Sequence, residues 1–262
     1  MDGSFPLGAA VAATLIVAGW NPVAATAVAC VAGAVSGWVT AWLNVKLKIM
    51  QLLASILVMI ALYSINLRVM GKPNVALITE PTVFSMASFG GMPEQWAKPL
   101  LLLLIVIAAK IVVDLFFASE AGLAMRATGG NARMARAQGI STDFHTMAGL
   151  ALSNALVALA GALFAQSQGT ADISMGVGTI VIGLAAVIIG ETLMPARSMV
   201  ITTLACILGA LLYRFFIAMA LNTDFMGLQA QDLNLVTAVL VAFALLVPAY
   251  KRKLAGLFKG KN

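Results

Sequence analysis

Ser119–Ser141 reads SEAGLAMRATGGNARMARAQGIS, the one long polar island in the middle of a very apolar chain. Ala121–Thr128 reads as a short helical run. Gly129-Gly130 is expected to break it, because glycine adopts turn dihedrals that other residues avoid. Asn131 is placed to cap a second short helix through Gln138, and Gly139 sits where a C-terminal cap belongs. Arg126, Arg133 and Arg136 are then available to water or to an acidic partner. Two short helices about a hinge, held at a membrane surface, make a docking projection and not a catalytic site.

The surroundings of this island place it at a bilayer. The 262 residues are 61% hydrophobic and 10% charged, with a mean hydropathy of +1.00. A soluble domain averages about 25% charged residues. No polar segment is long enough for a separate soluble domain, so residues 1–262 are expected to form a single transmembrane domain. Its projecting loop covers 118–145 and its basic tail 250–262. The net charge of +6 carries no dense basic patch with interleaved aromatics, which argues against nucleic acid. Cys30 and Cys206 fall inside apolar spans without metal-ligand spacing, and His145 is the only histidine. No metal or cofactor is expected.

Taken in order, Leu7–Gly19 is apolar but shorter than the ~20 residues of a full span. Val23–Leu43 spans, with Gly33, Ser36 and Gly37 suited to close helix packing and Trp38 and Trp42 near its end. Asn44–Met50 is a brief loop, and Gln51–Arg68 spans again. Val69–Ala97 is a long non-membrane segment holding Pro73, Pro81, Pro93 and Gly90-Gly91. Pro99–Phe117 is the most apolar helix. Beyond the island, His145–Gln166 spans and Ser167–Ser174 is a loop. Met175–Ile189 is short and glycine-interrupted, Ser198–Met219 spans, Ala220–Asp232 is a loop, and Leu233–Val247 is the last helix. The fold class is therefore all-α, a polytopic bundle of about eight spanning or partly spanning segments.

Basic residues orient the bundle. If the island is cytoplasmic, that side holds Lys46, Lys48, Arg126, Arg133, Arg136, Arg197, Lys251, Arg252, Lys253, Lys259 and Lys261. The other side holds Arg68, Lys72 and Lys98. This asymmetry obeys the positive-inside rule and puts the C-terminus in the cytoplasm. In that topology Leu7–Gly19 and Met175–Ile189, both short and each followed by a proline and a full span, run in opposite directions. That is the signature of an inverted repeat, and short broken segments in matching halves point to a transport pathway. Ser4, Gly8, Gly178 and Gly183 are its candidate lining. Close packing in lipid is the competing reason for such glycines.

Three charged positions carry two readings each. Lys110 and Asp114 lie one helical turn apart within a span, and mutual neutralisation near the cytoplasmic interface is preferred to a functional role. Arg214 either snorkels to the outer headgroups or meets a substrate carboxylate. Glu191 either pairs with Arg197 or makes a secondary contact to a partner. No carboxylate pair, Ser/His/Asp set or phosphate-binding GxxxxGK[ST] motif occurs, so the chain is not read as an enzyme.

The run Arg126-Ala-Thr128-Gly129-Gly130-Asn131 through Arg133, Arg136 and Gly139-Ile140 resembles the cytoplasmic coupling loop of ABC-transporter permeases of the branched-chain amino acid and ribose importer type. Asp2-Gly3-Ser4, Gly190-Glu191 and Thr237-Ala238-Val239 resemble a subgroup that includes aromatic amino acid importers. The resemblance implies a bacterial inner-membrane permease with a separate ATP-binding cassette subunit and an extracytoplasmic substrate-binding protein. A second permease copy or a paralogue would complete the pore. It assigns Arg126, Thr128, Gly129, Gly130, Asn131, Arg133, Arg136 and Gly139 to ATPase coupling. An amino acid is the expected substrate, a sugar the alternative. A self-sufficient ion-coupled carrier or channel is the competing class, and it would need intramembrane acids that only Asp114 supplies. In the resembling family a further helix precedes Asp2-Gly3-Ser4. Such a helix is expected here too, since Met175–Ile189 has a full span before it and Leu7–Gly19 has none.

Overall fold

A computed structural model describes residues 1–86, 94–194 and 198–222. The helix expected at Leu233–Val247, the basic tail, Arg197 and Gly90-Gly91 lie outside the described residues. Within them the order is α1 (Ser4–Val17), α2 (Pro22–Lys46), α3 (Gln51–Met70), β1 (Asn74–Ala76), α4 (Val83–Met86) and α5 (Glu94–Ala118). There follow α6 (Glu120–Gly130), α7 (Ala132–Ala137), α8 (Thr142–Gln168), β2 (Thr170–Asp172), α9 (Thr179–Leu193) and α10 (Met199–Asn222). Five of these helices are long and apolar enough to cross a membrane, and α1 and α9 are shorter apolar helices. The chain divides into two units, Met1–Val177 and Gly178–Asn262.

In the first unit α1 is the element the others enclose. Ser4, Pro6, Leu7, Gly8, Ala9, Ala10, Ala12, Ala13 and Ile16 are all buried, and a helix apolar on every side is a core helix. At 1.5 Å per residue its 14 residues cover about 21 Å, less than the ~30 Å hydrocarbon layer. Two neighbours approach it through small residues. A Cβ on Gly8 would sit 2.0 Å from the carbonyl oxygen of Ala158 on α8, and one on Gly161 would sit 2.0 Å from that of Phe5. On α2, Gly33 would meet the Ala158 side chain at 2.3 Å and Gly37 the Leu150 carbonyl at 2.3 Å. Helices that share an apolar solvent with their neighbours gain by packing backbone on backbone, which only glycine and alanine permit.

Polar groups staple the same crossing. Ser4 Oγ donates to Asn154 Oδ1 at 2.7 Å and lies 3.2 Å from Ser36 Oγ, while Asn154 Nδ2 donates to Leu150 O at 2.8 Å. Such bonds between membrane helices contribute about 0.6 kcal/mol each on average. Further along, Gln166 Nε2 donates to Thr26 Oγ1 at 2.8 Å, and Gln166 Oε1 accepts from Val83 N at 3.0 Å, holding α4 against α8.

Two loops read from the sequence as irregular are paired. β1 and β2 run antiparallel with Val75 opposite Ala171, and both side chains join a core cluster with Ala13, Ile16, Met70 and Leu77. Three-residue strands are too short to print a period-two pattern. Asp172 takes hydrogen bonds from the hydroxyl and amide of Ser174, which hold its carboxyl below the usual carboxylate range.

The described residues of the second unit form α9 and α10, packed against each other in the same way. A Cβ on Gly190 would lie 2.1 Å from Ala205 O, and one on Gly209 2.0 Å from Ala186 O. Ala185, Tyr213 and Ile217 form its buried centre. Helix α9 starts at Thr179, not at Met175, because Gly178 at its N-cap takes a left-handed φ of 84°. Glu191 is exposed.

Candidate functional site

The polar island folds as two short helices between α5 and α8. Helix α5 ends at Ala118, and Ser119 caps α6 through its hydroxyl, which accepts from Gly122 N at 3.4 Å. Gly122 makes the tight corner, since a Cβ there would sit 2.2 Å from Phe116 O. The expected break at Gly129-Gly130 is corrected: both glycines complete α6, and the chain leaves the helix at Asn131, φ −153° and ψ 95°. Glycine permits a turn without imposing one, and the stronger local signal is the Asn131 cap. Its side-chain oxygen accepts from Arg133 N and Met134 N, both at 3.1 Å. Gly139, φ 80°, follows the last turn of α7 and donates its N–H to Arg136 O, as a glycine after a helix end does.

The projection is exposed yet anchored. Ala135 is 3% exposed, and Gly149 on α8 lies against Met125 on α6. Arg136 Nε donates to Thr142 Oγ1 at 2.8 Å, tying α7 to the first turn of α8. Arg126, Arg133 and Arg136 are all exposed, and Arg136 is in addition engaged within the chain. Leu123 and Met134 present 52% and 63% of their surfaces to the outside, which adds apolar area to the basic face. Beside α7 a cleft of about 710 Å³ is bordered by Asn44, Lys48, Thr128, Arg136 and Asp143. Thr128 donates to Ala124 O, so its hydroxyl serves its own helix. Gly129 and Gly130 have no described atom within 4 Å of an added Cβ.

The remaining sequence candidates scatter. Ser4 and Gly8 lie inside the α1–α2–α8 crossing. Gly178 and Gly183 meet open space among the described residues, and Arg214 is exposed on α10 beside buried Tyr213. Lys110 and Asp114 form an ion pair on α5. Sequence reasoning missed Thr142 and the Gly149–Met125 contact, which no local pattern announces. It also missed Asn66, a fully buried amide within the α3 span, although polar groups inside a span are candidates for a role.

Among the described residues, five helices are long and apolar enough to cross a membrane, and α6–α7 stands between two of them. A family model described as branched-chain amino acid transport system, permease component, matches residues 1–249, and the chain belongs to that family. It is 38% identical over 240 residues to the tyrosine transport system permease protein of Clostridioides difficile (strain R20291), covering 92% of this chain and 78% of the relative. An uncharacterized protein of Rickettsia prowazekii (strain Madrid E) is 32% identical over 158 residues, 60% of this chain and 54% of that protein. No solved structure matches. The chain is thus a permease component of an amino acid transport system.

Proposed function

We propose that the chain is the pore-forming subunit of an ABC importer for an aromatic amino acid and that α6–α7 is where its ATPase docks. The observation that carries this is the projection itself: exposed, capped at Asn131, and wired by Met125–Gly149 and Arg136–Thr142 to α8. Helix α8 in turn meets α1 and α2 backbone to backbone. A push on α6–α7 is thereby delivered to the centre of the bundle, as alternating access requires. The tyrosine transport permease to which the chain is 38% identical supports an aromatic substrate. A separate cassette subunit supplies ATP hydrolysis, and an extracytoplasmic protein delivers substrate. A second permease copy or a paralogue completes the pathway. The basic-residue asymmetry supports a bacterial inner-membrane location with α6–α7 and the C-terminus in the cytoplasm.

The test is Gly130→Val in the reconstituted transporter. With no described atom within 4 Å of an added Cβ, the substitution leaves the permease itself unstrained. Tyrosine uptake is expected to fall at least tenfold while membrane insertion is retained. Unchanged uptake would remove the docking assignment, and a transporter that moves no amino acid would remove the substrate class.

A further inference from the structure

The cleft beside α7 is bordered by two cations that the described chain leaves unneutralised. Lys48, in the turn from α2 to α3, and Arg136 on α7 both line it and both are exposed. Among the described residues the one ion pair joins Lys110 to Asp114, so neither cation has a carboxylate partner there. Each is nonetheless held in place. Arg136 commits its Nε to Thr142 Oγ1 at 2.8 Å, and its terminal nitrogens keep the fork that suits a phosphate. Lys48 is the one non-glycine among the described residues with a left-handed φ, 55°. Such a backbone is disfavoured for a residue with a Cβ and persists where its surroundings impose it. Asn44 Nδ2 donates to Ile49 O at 2.8 Å and Ile49 N donates to Leu43 O at 3.4 Å, which closes the turn around Lys48.

The third charge on the cleft is Asp143, which takes a long hydrogen bond of 3.5 Å from Thr142 Oγ1. Two cations and one carboxylate leave a net positive cleft, and a phosphodiester neutralises it. Asp143 is then best met by a hydroxyl, because an ammonium on the same ligand would restore the excess positive charge. The surroundings of the cleft identify where such a phosphodiester comes from. The turn holding Lys48 joins two helices long and apolar enough to cross a membrane. Leu47 and Met50, on either side of Lys48, are exposed, as is Trp42 near the end of α2. Large apolar and aromatic residues interleaved with lysines belong at the headgroup level of a bilayer, where they offer a surface to acyl chains. A soluble phosphate would leave that rim uncovered.

We infer that this cleft binds the headgroup of phosphatidylglycerol, an anionic phospholipid. Its phosphate sits between Lys48 and Arg136 and its glycerol hydroxyls donate to Asp143, so that a lipid bridges the α2–α3 turn and α7. Native mass spectrometry of the full-length chain in detergent, titrated with lipid, tests this. Phosphatidylglycerol should bind about fivefold more tightly than phosphatidylethanolamine, the worth of one basic residue at an anionic surface. Lys48→Gly removes the ammonium at a φ that glycine adopts freely, and it should weaken phosphatidylglycerol about fivefold, as should Arg136→Gln. Lys48→Arg should retain the affinity. So should Arg68→Gln, which removes an exposed cation of α3 outside the cleft. Bound phosphatidylglycerol should also slow amide exchange over Ala132–Ala137. Equal affinity for the two lipids overturns the inference, and so does a Lys48→Gly variant that binds like wild type. Displacement of the lipid by an equal concentration of glycerophosphoglycerol, which has the headgroup without acyl chains, would make this a soluble-phosphate site and overturns the lipid. Loss of the lipid when a nucleotide-binding subunit co-purifies would assign the cleft to an acidic side chain of that subunit, and overturns it equally.

Discussion

The Cα hydrogen of Gly8 points at the carbonyl oxygen of Ala158, and a methyl group in its place would sit 2.0 Å from that oxygen. Ala158 is also the residue Gly33 meets from α2, so one turn of α8 receives both neighbours. Gly8→Val should force the helices apart and cost about 3 kcal/mol, the upper range for overpacking. Gly183→Ala, with no described atom within 4 Å, should be neutral. The thermal midpoints of the two variants in detergent, side by side, check the contrast.

Asn131 caps α7 through two backbone donors. Asn131→Ala should cost the projection about 1 kcal/mol and Asn131→Gly only a few tenths. Amide hydrogen exchange over Ala132–Ala137 should accelerate in the alanine variant, with exchange in α8 unchanged. Equal exchange in wild type and Asn131→Ala would mean the cap does not hold α7.

On α5 the Lys110–Asp114 pair offers a test by double substitution. Lys110→Met leaves a carboxylate in an apolar span without its cation, and removing one partner is worse than removing both. Folded yield from membranes should drop for Lys110→Met and recover in Lys110→Met with Asp114→Leu. If the double variant is no better than the single, Asp114 is held by something more important than Lys110.

Acid should loosen the strand pair. Ser174 donates two hydrogen bonds to the Asp172 carboxylate and holds its pKa below the ordinary value, with Asn74 adding a weaker one. A carboxyl depressed in the folded state stabilises above its unfolded pKa of about 3.9 and loses that contribution as pH falls through the folded value. Amide exchange over Thr170–Ser174, relative to Asp172→Asn at each pH, should be slower in wild type near neutrality. The two should converge as pH falls through the depressed folded-state value of Asp172. A wild-type advantage that persists in acid would exclude Asp172 as the cause.

Much of the fold was legible because its signals are local. Apolar runs of membrane length, the Asn131 cap, Gly139 after α7 and the spacing of Lys110 and Asp114 each depend on neighbours within a few residues. The segment boundaries shifted where a local rule competed with another. Pro99 did not start α5, which begins at Glu94 and holds Pro99 inside it as its sixth residue; membrane helices tolerate an internal proline. Gly129-Gly130 stayed helical since neither needed a left-handed φ.

The sequence alone determined that this chain lives in a bilayer and presents one two-helix projection beside it, since hydropathy and capping are properties of contiguous residues. Only the tertiary structure decided that Gly8, Gly33 and Ala158 share one crossing and that Val75 pairs with Ala171 over α1. It alone buried Asn66 and left its Oδ1 without a donor among the described residues. Those relationships join residues tens to more than a hundred positions apart. Whether a glycine is a hinge, a lining residue or a packing site depends on what lies across from it, and a glycine has no side chain with which to say so.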